Sequence, residues 1–269
     1  MGIFPRDNSA AGGKERCVAD GSDRAEGGRG DFRDIFELSV GYGLILLAIW
    51  TPRPWQSAFS WVALVWVLLA TGISFDGWGR MGLHGRGFLR SLWVVGAALL
   101  LAAAVAMGGR LHTLHMPQSP ALFLRRYWTY AIWALLQEFL MLDFFLLRLL
   151  RLMRGKTAAV IATAALFGLA HVPNPVLMPL ALVWGSIACL IFLRHRNLYT
   201  LGLAHAILGI CIAVTVPGPV DHNMRVGLGY LTYRPQQFSG WRHAHHRNQR
   251  PQIVSTEAWV MAEAPTRRW

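Results

Sequence analysis

Hydrophobic residues in this sequence gather into long runs separated by short polar breaks. Runs can be drawn at about residues 35–50, 55–73, 88–108, 127–150, 157–172, 176–194 and 198–216. Runs of this kind suit a bilayer, which a helix crosses with about 20 apolar residues, range 17–25. The pattern predicts an all-α fold, a polytopic membrane helix bundle of about seven (6–8) transmembrane helices. The first and fifth runs are short for a full crossing and are expected as half-spans buried in the bundle. Pro173, Pro175 and Pro179 follow the fifth run closely. Proline lacks a backbone donor and clashes with the preceding turn, so that helix must end or bend there.

The polar flanks divide the chain. Residues 1–33 hold Gly, Ser, Asp and Arg without the apolar core of a cleavable signal peptide, and are read as a disordered tail. Residues 34–216 form the membrane domain, with the chemistry-bearing core at about 123–216, and residues 217–269 form a polar, basic tail. In that tail HAHH at 243–246 has metal-binding side chains, although a solvated tail is the favoured reading. DHNMRVGLGYL at 221–231 is expected to fold back on the bundle. Residues 75–92, FDGWGRMGLHGRGFLRSL, read as an interfacial loop or short surface helix.

Composition sharpens the picture. Only 15% of the 269 residues are charged, against about 25% in soluble domains. Twelve tryptophans suit the membrane–water interface. The formal charge of +12 would fit nucleic acid, but the arginines mostly lie between apolar runs, where topology and anionic lipid account for them. Nucleic acid is therefore excluded as a partner, and the lipid bilayer is the expected one. Arg80, Arg86 and Arg90, then Arg148, Arg151, Arg154 and Lys156, then Arg194 and Arg196, all fall on the cytoplasmic side if the N-terminus is cytoplasmic. Arg110, Arg125, Arg126 and the basic tail oppose that choice. The expected location is a bacterial inner membrane, multi-pass, with the N-terminus inside. Cys17, Cys189 and Cys211 have no paired spacing and point to neither a disulfide framework nor a thiolate metal site.

The run AIWALLQEFLMLDFFLLRLL, residues 131–150, carries Gln137, Glu138 and Asp143. An acid at the centre of a membrane helix costs about 2.5–3.5 kcal/mol on the insertion scale. Such residues face a bundle interior or wet cavity and serve relays, ion paths or catalysis. His171 ends the fifth run in FGLAH, and His205 opens HAILG inside the seventh. Phe167 and His171 are four apart and share a helix face, and His205 needs a polar partner in its apolar run. Asp143 lies on a different α-helical face from Glu138 and is expected to pair with Arg148 or Arg151.

Hydrolysis suits these parts. Burial raises a glutamate's pKa and a nearby imidazolium lowers it, leaving a base poised to take a proton from water. One histidine can hold that water, directly or through a metal, while another donates to the developing oxyanion. A divalent metal such as zinc would find three ligands in Glu138, His171 and His205, but the spacing does not demand one.

The ordered set resembles the CPBP family of intramembrane proteases, which includes the type 2 CAAX prenyl endopeptidase and the bacterial Abi proteins. The family pattern is EExxxR, then FxxxH, then HxxxN or HxxxD, on successive membrane helices. Phe167 and His171 match the second motif, and His205 matches the third, with Gly209 in place of Asn or Asp. In the first motif Gln137 stands for the first Glu, Glu138 for the second and Leu142 for the Arg. The resemblance covers about residues 85–216. It implies a helical membrane bundle around an internal cavity, with endoproteolysis of a peptide or membrane-protein substrate. The catalytic set it implies is Glu138, His171, His205 and Gln137. Gln137 cannot ionise, so the implied base shifts to Glu138. The alternative is a non-catalytic pseudoprotease acting as a membrane binding or immunity protein. A proton relay or transporter is disfavoured by the absence of repeat symmetry.

Overall fold

A computed structural model describes residues 12–109, 113–117 and 119–234, with side chains from Gly30 onward except that of Arg86. The HAHH sequence at 243–246 and Arg110 lie outside the described residues, as does the side chain of Cys17.

The described chain is helical, with no strand among the described residues. Helix α1 is Gly12–Trp50, α2 is Trp55–Ile73 and α3 is Phe88–Gly109. A continuous helix follows in three parts: α4, Pro120–Glu138; a π-helical stretch, Phe139–Leu146; and α5, Leu147–Leu152. Helix α6 is Lys156–Leu169, α7 is Leu177–His195 and α8 is Leu198–Thr215, followed by the short helices α9, Gly218–Asp221, and α10, Gly227–Leu231.

Five of these stretches are long and apolar enough to cross a membrane: α2, α3, the continuous helix Pro120–Leu152, α7 and α8. The two apolar runs outside that set are the two that were short for a crossing. The first is part of α1, whose residues Asp34 and Glu37 are charged and buried. The other, α6, has only 14 residues. The proline cluster acts as expected, since α6 stops at Leu169 and α7 starts at Leu177. The fourth helix begins earlier than the apolar run, because Ser119 caps it by accepting from Leu122 N–H and Pro120 sits in its first turn. That start takes in Arg125 and Arg126, which the hydropathy pattern leaves out.

The continuous helix is the axis of the bundle. Met141 through Leu146 are all buried, and this stretch packs against α2, α6 and α7, while α4 packs along α8 and α8 along α3. The outer helices keep large apolar side chains exposed, among them Trp61 and Leu69 on α2, Leu100 on α3 and Leu190 on α7, as helices facing lipid do.

One end of the axis is tied by ion pairs. Arg148, 2% exposed, donates Nε–H to Glu37 Oε2 at 2.8 Å and Nη1–H to the Phe144 carbonyl at 3.0 Å. Its Nη2 lies 2.7 Å from the same Glu37 oxygen, a charge contact outside hydrogen-bond alignment. Arg151 grips Asp34 through Nε and Nη2 at 2.7 and 2.8 Å and Asp76 through Nη1 at 2.6 Å. These partners correct the expected pairing of Asp143 with Arg148 or Arg151. Acids on α1 and in the loop after α2 occupy both guanidinium groups, and both Asp143 oxygens are buried without a hydrogen-bond partner.

The segment after α8 folds back, as read for residues 221–231. Asn174 donates to the Asp221 and Arg225 carbonyls, while its own oxygen accepts from Val176 and Leu177 N–H at the start of α7. Gly227 N–H donates to the Val172 carbonyl at 2.9 Å. One buried amide thus both starts α7 and fastens the returning chain beside His171.

Candidate active site

Glu138 is the last residue of α4, at the point where the helix widens into the π stretch. Insertions of this kind often occur at functional sites. The carboxyl group is fully buried. Its Oε1 accepts from Trp184 Nε1–H of α7 at 2.5 Å and from His205 Nδ1–H of α8 at 2.8 Å. Its Oε2 is buried and has no hydrogen-bond partner. One oxygen is therefore held from two helices while the other is left free.

A carboxylate oxygen only accepts, so the proton between it and His205 resides on Nδ1. The same reasoning applies to His171, whose Nδ1 lies 2.7 Å from the Phe167 carbonyl. A carbonyl also only accepts, which fixes the Nδ1–H tautomer for neutral His171 and leaves Nε2 with its lone pair. The Phe167 ring stands edge-on to both imidazoles, its centroid 4.9 Å from that of His171 and 6.0 Å from that of His205. Phe167 is thus the spacer that sets the two histidines apart. Trp184 flanks His205 with ring centroids 6.0 Å apart.

The structure brings Glu138 and His205 into direct contact and seats His171 against Phe167. Gln137 is half-buried next to Glu138 and makes no side-chain hydrogen bond among the described residues. Asp143 is nearer the Glu138 face than an α-helix would place it. Five α-helical residues turn about 140°, whereas the π stretch closes its turn by i→i+5 bonds. Among the described residues, no group of three or more His, Cys, Asp and Glu side chains is arranged to hold a metal ion. Glu138, His171 and His205 are not grouped in that way, and Glu138 Oε1 is already taken up by Trp184 and His205.

Two members of the cluster were not singled out from the sequence. In the sequence Trp184 reads with the other tryptophans as an interface residue, although a half-buried indole N–H requires an acceptor. Tyr130, on α4, sits against Gly209 of α8, and a Cβ at position 209 would collide with its hydroxyl oxygen. Only the pairing of α4 with α8 reveals that contact.

Residues 117–211 match the family model described as type II CAAX prenyl endopeptidase Rce1-like. Over this stretch the chain is similar to the CPBP family of CAAX-type proteases. The matched region holds Gln137–Glu138, Phe167–His171 and His205–Gly209 within its limits. It runs from just before α4 to within α8, so the match falls on the helices that build the Glu138 cluster. No curated protein and no solved structure matches the chain.

Proposed function

We propose that this chain is an intramembrane endopeptidase that hydrolyses a peptide bond of a membrane-associated protein with water activated by Glu138 and its histidines. The observation that carries the reading is the asymmetry of Glu138: Oε1 is saturated by Trp184 and His205, while buried Oε2 has no partner.

In this reading Oε2 takes a proton from water, and the resulting hydroxide bonds to the scissile carbonyl carbon. His171 Nε2 accepts a hydrogen bond from the O–H that the nucleophile keeps and so orients the attacking lone pair. The proton held on Glu138 then passes to the amide nitrogen as the C–N bond breaks, giving a carboxylic acid and an amine. The acid's remaining proton passes to the amine to leave a carboxylate and an ammonium. His205 Nδ1–H and Trp184 Nε1–H keep the carboxyl group in one rotamer throughout, as a positioned base requires. Gln137 contributes no proton transfer, because an amide neither ionises nor acts as a base near neutral pH.

The test compares membrane-proteome termini in cells carrying the native protein, Glu138→Gln or His171→Ala at matched expression. Cleaved ends found only with the native protein support the reading and identify the substrate. Identical termini in all three replace it with the pseudoprotease reading, in which the fold binds without cutting.

A further inference from the structure

Tyr130 has a feature that the proposed reaction does not yet use. Its hydroxyl makes no hydrogen bond among the described residues, although the side chain is partly buried between α4 and α8. A phenylalanine would fill the same space, so packing alone does not account for the hydroxyl. The seat exists only because residue 209 is glycine, since any Cβ there would collide with the Tyr130 oxygen. Gly209 lies four residues after His205 on α8, so the two positions share a helix face and are about 5–6 Å apart at Cβ. That places the Tyr130 hydroxyl one helical turn from the residue that holds Glu138 Oε1.

We propose that the Tyr130 hydroxyl, seated against Gly209 one turn from His205, donates a hydrogen bond to the carbonyl oxygen of the scissile bond as that oxygen becomes an oxyanion. The proposal rests on the endopeptidase reading. No bond is made or broken at Tyr130 itself: the hydroxyl keeps its proton and stabilises charge that develops on substrate. A donor preorganised in a water-poor site needs no reorganisation at the moment of reaction. The π-faced ring, held by the α4–α8 contact, supplies that rigidity. Gly209 thus makes space for a donor that reaches in from the neighbouring helix.

The experiment measures the rate at which native-dependent termini appear in membranes containing the native protein, Tyr130→Phe, Tyr130→Ala, Tyr130→Ala/Gly209→Asn or Glu138→Gln. Melting of each purified protein is followed in detergent. Tyr130→Phe should lose about 10²–10³-fold in turnover, the usual effect of removing one oxyanion donor, with unchanged substrate half-saturation and melting temperature. Tyr130→Ala/Gly209→Asn should cut faster than Tyr130→Ala, because an asparagine amide can enter the vacated seat. Native turnover in Tyr130→Phe, a loss matched by a lower melting temperature, or no gain in the double variant would each overturn the Tyr130 proposal and leave the protease reading standing. If the native protein and Glu138→Gln give identical termini, the protease reading itself falls, and the Tyr130 proposal with it.

Discussion

Glu138 Oε1 and His205 Nδ1 meet at 2.8 Å across 67 residues of sequence, joining α4 to α8 through a carboxyl group with no exposed surface. Each residue answers the other's burial cost, because an unpaired carboxylate or imidazole in an apolar bundle is expensive. The pair therefore acts as one unit in stability and, in the proposed reaction, in chemistry. Glu138→Gln keeps an acceptor for His205 and Trp184 but removes the base, so cleavage should fall to background while the melting temperature changes little. His205→Ala should lower both, since it removes the partner of a buried acid. In a double-mutant cycle the two substitutions should be strongly non-additive in cleavage rate, as groups acting as a unit are.

Trp184 gives a subtler test. Its indole N–H shares Oε1 with His205 and so helps leave Oε2 free. Trp184→Phe keeps most of the ring volume and loses one hydrogen bond to a charged acceptor, worth about 1.5–3 kcal/mol. Cleavage should drop about 10–100-fold, with substrate half-saturation preserved, because the substitution affects the base's orientation rather than substrate contact. Equal loss in kcat and substrate affinity would instead place Trp184 in the substrate path.

The ion pair at the end of the axis predicts a stability effect separable from activity. Arg148 and Glu37 are both nearly inaccessible, at 2% and 7% side-chain exposure. Removing one partner strands the other charge, a loss of about 3–5 kcal/mol for a buried pair. Arg148→Met or Glu37→Leu alone should unfold at markedly lower denaturant. The double variant should recover much of that stability, and the recovery is read from the midpoint of unfolding in mixed micelles.

Much of this arrangement was legible in the sequence, for physical reasons. Apolar run lengths located α2, α3, α7 and α8 closely, because the bilayer constrains length and hydropathy together. The prolines after His171 marked the break between α6 and α7, since proline acts locally. His205 was expected to need a polar partner, and Glu138 supplies it. What escaped depended on contacts between distant segments. Asp34, Glu37 and Asp76 claim the two arginines that Asp143 was expected to meet, and no local pattern ranks one acid over another. The π stretch was equally hidden, because its apolar sequence FLMLDFFL suits an ordinary α-helix as well.

Asp143 is the residue left without an explanation in packing, and it carries the last prediction. It is 1% exposed and neither side-chain oxygen has a hydrogen-bond partner. A buried polar group in that condition costs about 1–3 kcal/mol. Asp143→Leu, branched like the acid but larger, should therefore raise stability by an amount in that range, provided the Met141–Leu146 core accepts the added volume. Asp143→Asn should gain less, because an amide in the same seat still lacks partners. The measurement is the unfolding midpoint of each variant beside the native protein, paired with its cleavage rate. If Asp143→Leu is more stable and equally active, the acid is a tolerated flaw of the fold. If it is more stable and inactive, the cost is borne for function, and the π turn that swings Asp143 back toward Glu138 becomes part of the site. If it is less stable, Asp143 has a partner that burial alone does not reveal, and the account of it as an orphaned acid is wrong.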